Sequence, residues 1–210
     1  MAGQGFQKVG VLGCGLMGSG IAQVSATAGY PTVVKEVADE FLKKGFAGIE
    51  KSLGRLVEKG TLTADQRSQS MSRLKPTTKF EDLADCDIII EAITENLQVK
   101  RETYATIDKI VKQGAIFASN TSSLVITEMM TAAKRVDRFI GMHFFNPVPL
   151  MKLVEVVATI TTAPSVMDEA MKFAESLGKV PIRTSDRSGF IVNRSICGSR
   201  SGEWSDLWTR

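Results

Sequence analysis

The chain has 210 residues, 43% of them apolar, which is enough for one sizeable domain or a domain with an appendage, and its formal net charge is only +3. Its 26 basic residues are interspersed with 23 acids, so no basic face marks a nucleic-acid partner. No stretch reaches the ~20 apolar residues of a membrane span, and the first residues lack a signal-peptide core. Three dispersed cysteines (Cys14, Cys86 and Cys197) and a single histidine, His143, suit a reduced, cytoplasmic protein without a disulfide frame or a metal cluster.

Residues 8–36 hold the strongest local signal. An apolar run, Val9 to Leu12, leads directly into Gly13-x-Gly15-x-x-Gly18. The chain then reads helical from Ile21 to Ala28, breaks at Gly29, resumes a β-branched run at Thr32, Val33 and Val34, and ends at Glu36. A dinucleotide-binding βαβ unit needs these parts in this order. Gly13 permits the tight turn, Gly15 admits a pyrophosphate to the backbone, and Gly18 lets helix pack on strand. The diphosphate sits at the positive end of the helix, and Glu36 lies where a carboxylate accepts hydrogen bonds from the adenosine ribose. The alternative, a flexible glycine-rich turn, leaves the spacing and the terminal acid without a reason. An acid at position 36 favours NAD over NADP, whose 2′-phosphate it repels; Lys35 beside it argues the other way.

Residues 38–59 have helical spacing and end at Gly60. Thr63 and Gln66 form a capping-box pattern for a second helix to about Leu74, stopped by Pro76. Two helices in one crossover predict an insertion over the cofactor edge, within reach of a large substrate. Next come an apolar strand over 87–93, a helix over 96–112, a strand over 115–118 ending in Ser119-Asn-Thr-Ser-Ser123, a helix over 125–133 and a strand over 138–142 ending at His143. Strands alternating with helices predict a parallel sheet whose ligands bind at the strand C-termini.

Beyond His143 the rhythm changes. Pro147 and Pro149 forbid a helix, and the strand pattern over 153–157 arrives without one, so it pairs antiparallel at the sheet edge or crosses over it. Ser165 caps a helix to Leu177, and a short strand follows over 179–183. The expected fold is α/β, a Rossmann-type doubly wound, mostly parallel sheet with a long helical insertion after strand 2 and antiparallel strand(s) at the end.

Glu155 shares a strand face with Leu153 and Val157, where a carboxylate is costly unless paired. Its alternative is an edge glutamate turned to water, and a solitary histidine such as His143 is often merely structural. A turn of about nine residues nevertheless brings Glu155 back towards His143. A carboxylate on one ring nitrogen leaves the other basic, giving the general base that alcohol oxidation needs.

Six motifs in order then carry a resemblance: the 13–22 glycine run, Glu91-Ala-Ile-x-Glu-Asn96, Ser119-Asn-Thr-Ser-Ser123, Gly141-Met-His-Phe-Phe-Asn-Pro-Val-Pro149, Met151-Lys-Leu-Val-Glu155 and Gly189-Phe-Ile-Val-Asn-Arg194. Over about residues 7–194 the chain resembles the L-3-hydroxyacyl-CoA dehydrogenases, in particular the monofunctional 3-hydroxybutyryl-CoA type. A short-chain dehydrogenase would need Tyr-x-x-x-Lys, and neither Tyr30 nor Tyr104 has lysine four residues on.

The resemblance implies NAD as cofactor and an acyl-CoA thioester as substrate, with oxidation of (S)-3-hydroxyacyl-CoA or the reverse reduction of acetoacetyl-CoA. It makes His143 the base, Glu155 its orienting partner, and Ser122 and Asn193 the hydrogen-bond donors to the substrate oxygen. It places Gly13, Gly15, Leu16, Met17, Gly18, Glu36, Glu95, Lys100, Ser122 and Asn146 on the cofactor, and Ser52, Lys59 and Lys134 near CoA. Ordinary solvated charge is the alternative for the two lysines, and an N-cap of the 125–133 helix is the alternative for Ser122.

After Arg194 the family continues into a helical C-terminal domain that closes the cleft and makes the homodimer interface, whereas residues 195–210 read as an atypical, disordered tail. Two domains are thus expected, 7–194 for NAD and 195–210 in place of the substrate domain. NAD binding should then be near normal and turnover severely reduced. A non-catalytic NAD-binding module and a dehydrogenase of free hydroxy acids are the competing readings.

Overall fold

The computed structural model describes residues 5–187 and 190–191. Eight strands within them form one sheet: β1 (Val9–Leu12), β2 (Thr32–Lys35), β3 (Leu74–Thr77), β4 (Ile88–Glu91), β5 (Ile116–Ser119), β6 (Phe139–Phe144), β7 (Leu153–Ala158) and β8 (Val180–Ser185). Their spatial order is β3-β2-β1-β4-β5-β6-β7-β8. The first six run parallel, β7 pairs antiparallel with β6, and β8 pairs parallel with β7. The chain leaves β1 towards β2 on one side and returns to β4 on the other, so a crevice opens beyond the C-termini of β1 and β4. In open α/β sheets ligands bind at that switch point.

Both faces are covered, which is why the inner strands read as unbroken apolar runs. Ile88 and Ile90 face a core shared with α1 (Leu16–Thr27), α2 (Asp39–Glu58) and α6 (Pro164–Ser176). Ile89 and Phe117 face the opposite core, shared with α4 (Leu97–Ile107) and α5 (Ile126–Met130). Helix α3 (Ala64–Ser72) completes the crossover after α2, and its Thr63–Gln66 capping box is formed in both directions.

The doubly wound fold and the antiparallel end stand as expected, with corrections of detail. Pro76 does not merely stop a helix; it lies inside β3, an edge strand where a missing N–H costs no ladder hydrogen bond on the open side. Strand β7 pairs antiparallel as expected but is not the edge, because β8 covers it. β6 runs one residue past the expected end at His143, to Phe144. The α6 helix starts at Pro164 with Ala163 as N-cap, so Ser165 is not its cap. The long insertion touches the cofactor edge at its start, where Gly45 of α2 presses on Cys14; a Cβ at Gly45 would collide with the Cys14 sulfur.

Candidate active site

The glycine turn has the geometry that its spacing predicts. Gly13 sits at φ +94°, and a Cβ there would lie 2.5 Å from the Ala92 carbonyl oxygen, so only glycine joins β1 to the turn. A Cβ on Gly18 would run into the Gly13 carbonyl, which is the tight approach of helix to turn. Gly15 differs, because a Cβ there meets nothing within 4 Å. The space above Gly15 is open, and it is where a pyrophosphate would lie. No side chain caps α1 at Gly15, so the first-turn N–H groups, those of Leu16 and Met17 among them, are left for an outside acceptor.

Glu36 closes this turn. Its carboxylate accepts from the Cys14 N–H at 2.8 Å and from the Val37 N–H at 2.7 Å, and this fixes it at the rim of a cavity of about 650 Å³. Leu12, Gly13, Gly15, Phe80 and Val99 also line that cavity. The Lys35 ammonium is buried and stands 3.8 Å from the centre of the Phe80 ring. Burial lowers its pKa, against the opposing pull of Glu36. Cys14 is buried in the same turn, and desolvation, helped by the Glu36 charge, pushes its thiol up to about 11.

A second cavity, of about 450 Å³, shares the Ala92–Ile93 wall with the first. Met17, Glu95, Lys100, Ser122, His143 and Asn146 all line it. Six of the residues named from the sequence, scattered over 130 positions, thus meet at the end of one crevice.

His143 and Glu155 form the centre of this end. They are register partners across β6 and β7, and Nδ1 lies 2.7 Å from Glu155 Oε2. Glu155 is completely buried, and its other oxygen accepts the Ile191 N–H at 2.9 Å. The imidazole lies between two aromatic rings, Phe145 at 4.5 Å and Phe190 at 5.8 Å. Phe190 is buried at φ +46°, a backbone conformation that a bulky residue adopts only when its surroundings impose it. A carboxylate only accepts, so the proton of the neutral ring sits on Nδ1 and Nε2 carries the basic lone pair. The alternative of an edge glutamate turned to water does not fit, because Glu155 is fully buried and paired.

Ser122 lies in the loop after β5. It is not the cap of α5, because the Asp186 carboxylate accepts the Ile126 and Thr127 N–H groups at 2.8 and 2.6 Å. Glu95 accepts the Ser122 N–H at 3.3 Å and a short hydrogen bond from the Thr121 hydroxyl, and pairs with Lys100 at 3.1 Å. Burial by itself would raise the Glu95 carboxyl, but the Thr121 hydrogen bond and the Lys100 charge outweigh it and hold the group below its ordinary value.

The proposed CoA contacts are not gathered in the same way. Ser52 is half-buried on α2 and Lys59 exposed at its end, and neither lines either cavity. Lys134 lies at the opposite edge of the sheet. Its N–H bonds Asp108 beyond the end of α4, and the neighbouring Arg135 binds the Lys112 and Ala115 carbonyls just before β5 begins. Asn193 and the 195–210 segment lie outside the described residues.

Sequence reasoning missed Glu91, Ser119 and Thr121, a buried polar group beneath the second cavity, and the aromatic enclosure of His143 by Phe145 and Phe190. The polar run at the end of β5 was the available signal for the first group. A family profile described as "3-hydroxyacyl-CoA dehydrogenase, NAD binding domain" matches residues 8–187.

The chain belongs to the 3-hydroxyacyl-CoA dehydrogenase family. It is 49% identical over 189 residues to a probable 3-hydroxybutyryl-CoA dehydrogenase of Deinococcus radiodurans, covering 90% of this chain and 68% of the relative. It is 42% identical over 189 residues to the 3-hydroxybutyryl-CoA dehydrogenase of Clostridioides difficile, covering 90% and 67%. The crystal structure of (S)-3-hydroxybutyryl-CoA dehydrogenase from Ralstonia eutropha superposes with a TM-score of 0.90 at 42% identity, over 92% of this chain and 69% of that one. The chain thus spans about two thirds of the length of these relatives. The matched part is the NAD-binding domain, and the open turn at Gly15, the uncapped α1 and the fixed Glu36 suit that cofactor. No helix among the described residues is long and apolar enough to cross a membrane.

Proposed function

We propose that this chain interconverts (S)-3-hydroxyacyl-CoA and 3-oxoacyl-CoA with NAD, as the names of its relatives indicate for them. The observation that carries the reading is the buried His143–Glu155 pair opening into the cavity that Glu95, Lys100, Ser122 and Asn146 also line. His143 Nε2 takes the proton of the substrate 3-hydroxyl during oxidation and returns it during reduction. Such a general-base step contributes ~10²–10⁴ in rate. Glu155 holds the ring and stabilises the imidazolium that forms, and Phe145 and Phe190 keep water from the pair. Ser122, with Asn193, polarises the substrate oxygen. Bound on the Gly13–Gly18 turn, NAD supplies the hydride acceptor. Among the described residues the buried, free thiols of Cys14 and Cys86 suit a reducing compartment, and we place the reaction in the cytoplasm.

The test is oxidation of NADH dependent on acetoacetyl-CoA, with His143→Gln as control. Turnover that His143→Gln abolishes supports the reading. A chain that binds NADH but turns over neither acetoacetyl-CoA nor free acetoacetate is a nucleotide-binding module instead, and preference for the free acid assigns it to hydroxy-acid dehydrogenation.

A further inference from the structure

Beneath the second cavity lies a closed ring of polar contacts that the reaction as described does not use. Glu91 ends β4 and is completely buried, as is Ser119 at the end of β5. Lys100, on the first turn of α4, is 1% exposed although it carries an ammonium group. Its Nζ donates to Glu91 Oε1 at 2.6 Å and pairs with Glu95 Oε2 at 3.1 Å. Glu95 Oε1 accepts from the Thr121 hydroxyl, the Thr121 N–H donates to Ser119 Oγ at 3.3 Å, and Ser119 Oγ donates to Glu91 Oε2 at 2.7 Å. The ring ends where it began. The Ile93 N–H at 2.9 Å and the Tyr104 hydroxyl at 3.5 Å add two more donors to Glu91.

A buried ammonium is costly unless it is paired and hydrogen-bonded, and two carboxylates flank this one. They are not equivalent. The Glu95 side chain is 41% exposed and belongs to the cavity wall, whereas that of Glu91 is fully enclosed, with four donors converging on it. Glu91 is therefore the fixed anchor, and Lys100 and Glu95 are what it holds at the cavity. The Ser122 N–H also donates to Glu95, so the ring joins the cofactor-side residues to the substrate-side loop.

We propose that Glu91 is a positioning residue for the part of the NAD site that the second cavity forms. Through Lys100 it sets where the Glu95 carboxylate and the Ser119–Ser122 loop stand in the cavity. This rests on the cofactor reading above. Glu91 lines neither cavity itself, so it acts through the groups it holds, Lys100 first among them.

Calorimetric titration of NADH into the purified chain tests this by a double-mutant cycle. Glu91→Gln keeps the shape and, with its carbonyl oxygen facing the Ile93 N–H, that hydrogen bond; its amide nitrogen faces Ser119 as a donor, and the charge is gone. This change should raise the Kd for NADH about tenfold. In a Lys100→Met background, where there is no ammonium to hold, the same change should raise Kd less than about twofold. Ser119→Ala, which opens the ring without altering its charge, should raise Kd by roughly threefold, and it carries the test if Glu91→Gln does not fold. A general loss of structure would weaken binding alike in both backgrounds. Equal effects in the two backgrounds, or unchanged affinity in both Glu91→Gln and Ser119→Ala, overturn the assignment of Glu91 and leave the cofactor reading standing. Failure of the unaltered chain to bind NADH overturns both.

Discussion

His143 and Glu155 stand directly opposite each other on antiparallel strands, with Nδ1 and Oε2 2.7 Å apart and the carboxylate wholly buried. The pairing follows from the chain between them. Pro147 and Pro149 fold the link back on itself, and the register of β6 on β7 sets these two residues side by side. Because one strand pair holds both groups, the base and its partner share a rigid frame.

Replacement of His143 by Gln should lower the rate of acetoacetyl-CoA reduction by ~10²–10⁴ and leave NADH affinity within about twofold of the parent. Glu155→Gln should lower the rate by a comparable factor, since the ring loses the partner that stabilises its charged form. Steady-state rates beside a direct NADH titration separate the two quantities. A parallel loss of rate and affinity would mean that the pair supports the fold rather than the proton transfer.

The glycines of the turn should part company on substitution. Gly13→Ala forces a side chain into φ +94° and against the Ala92 carbonyl, and should cost at least about 1–3 kcal/mol of stability, read from urea unfolding. Gly15→Ala has open space in the free protein and should leave stability within about 0.5 kcal/mol. The same change should weaken NADH binding at least about tenfold, because the methyl group occupies the pyrophosphate position. Equal unfolding midpoints for the two variants would contradict this account.

Glu36→Ala should weaken NADH at the ribose and narrow the preference for NADH over NADPH by roughly tenfold or more. The variant loses both the carboxylate that repels a 2′-phosphate and the anchor of the Cys14 and Val37 N–H groups. Competition titrations with the two cofactors measure it. An unchanged ratio would place the discrimination elsewhere.

The Glu95 carboxyl is held below its ordinary 4.5 in the folded chain. Burial opposes this, and the Thr121 hydrogen bond and Lys100 charge prevail. Its stabilising contribution is therefore complete above that value and is lost as the pH falls through the depressed folded value. The urea midpoints of the parent and of Glu95→Gln should converge as the pH falls below about 4.5 and through the depressed folded value. A constant gap over that range would show that Glu95 titrates as it does when unfolded.

Cys14, with a thiol pushed up to about 11 and a buried sulfur, should resist iodoacetamide near pH 8 in the native chain and react once urea is added. Peptide mass spectrometry reads the modification at that position. Rapid native labelling would mean that the glycine turn opens readily.

The sequence by itself determined the βαβ unit, the run of strands and helices and the His143–Glu155 pair. Each is written in short-range signals: glycine spacing, apolar runs, capping residues and a strand that returns after a short proline-rich link. Only the tertiary structure decided what depends on distant segments meeting. A proline reads as a helix stop until β3 is seen to be an edge strand, where Pro76 costs little. Glu91 and Lys100 stand nine positions apart, and nothing local says that both are buried and paired, with Ser119 on the other carboxylate oxygen. Lys134 reads either as a CoA contact or as one solvated cation among many, and it is the Asp108 carboxylate, accepting from its N–H and from Arg135, that ties its backbone beyond the end of α4. Periodicity reports which face of an element is apolar, whereas the sheet order settles which elements become neighbours. The glycine turn therefore identifies a cofactor site, and the order of β1, β4, β5 and β6 brings Glu95, Ser122 and His143 to its end.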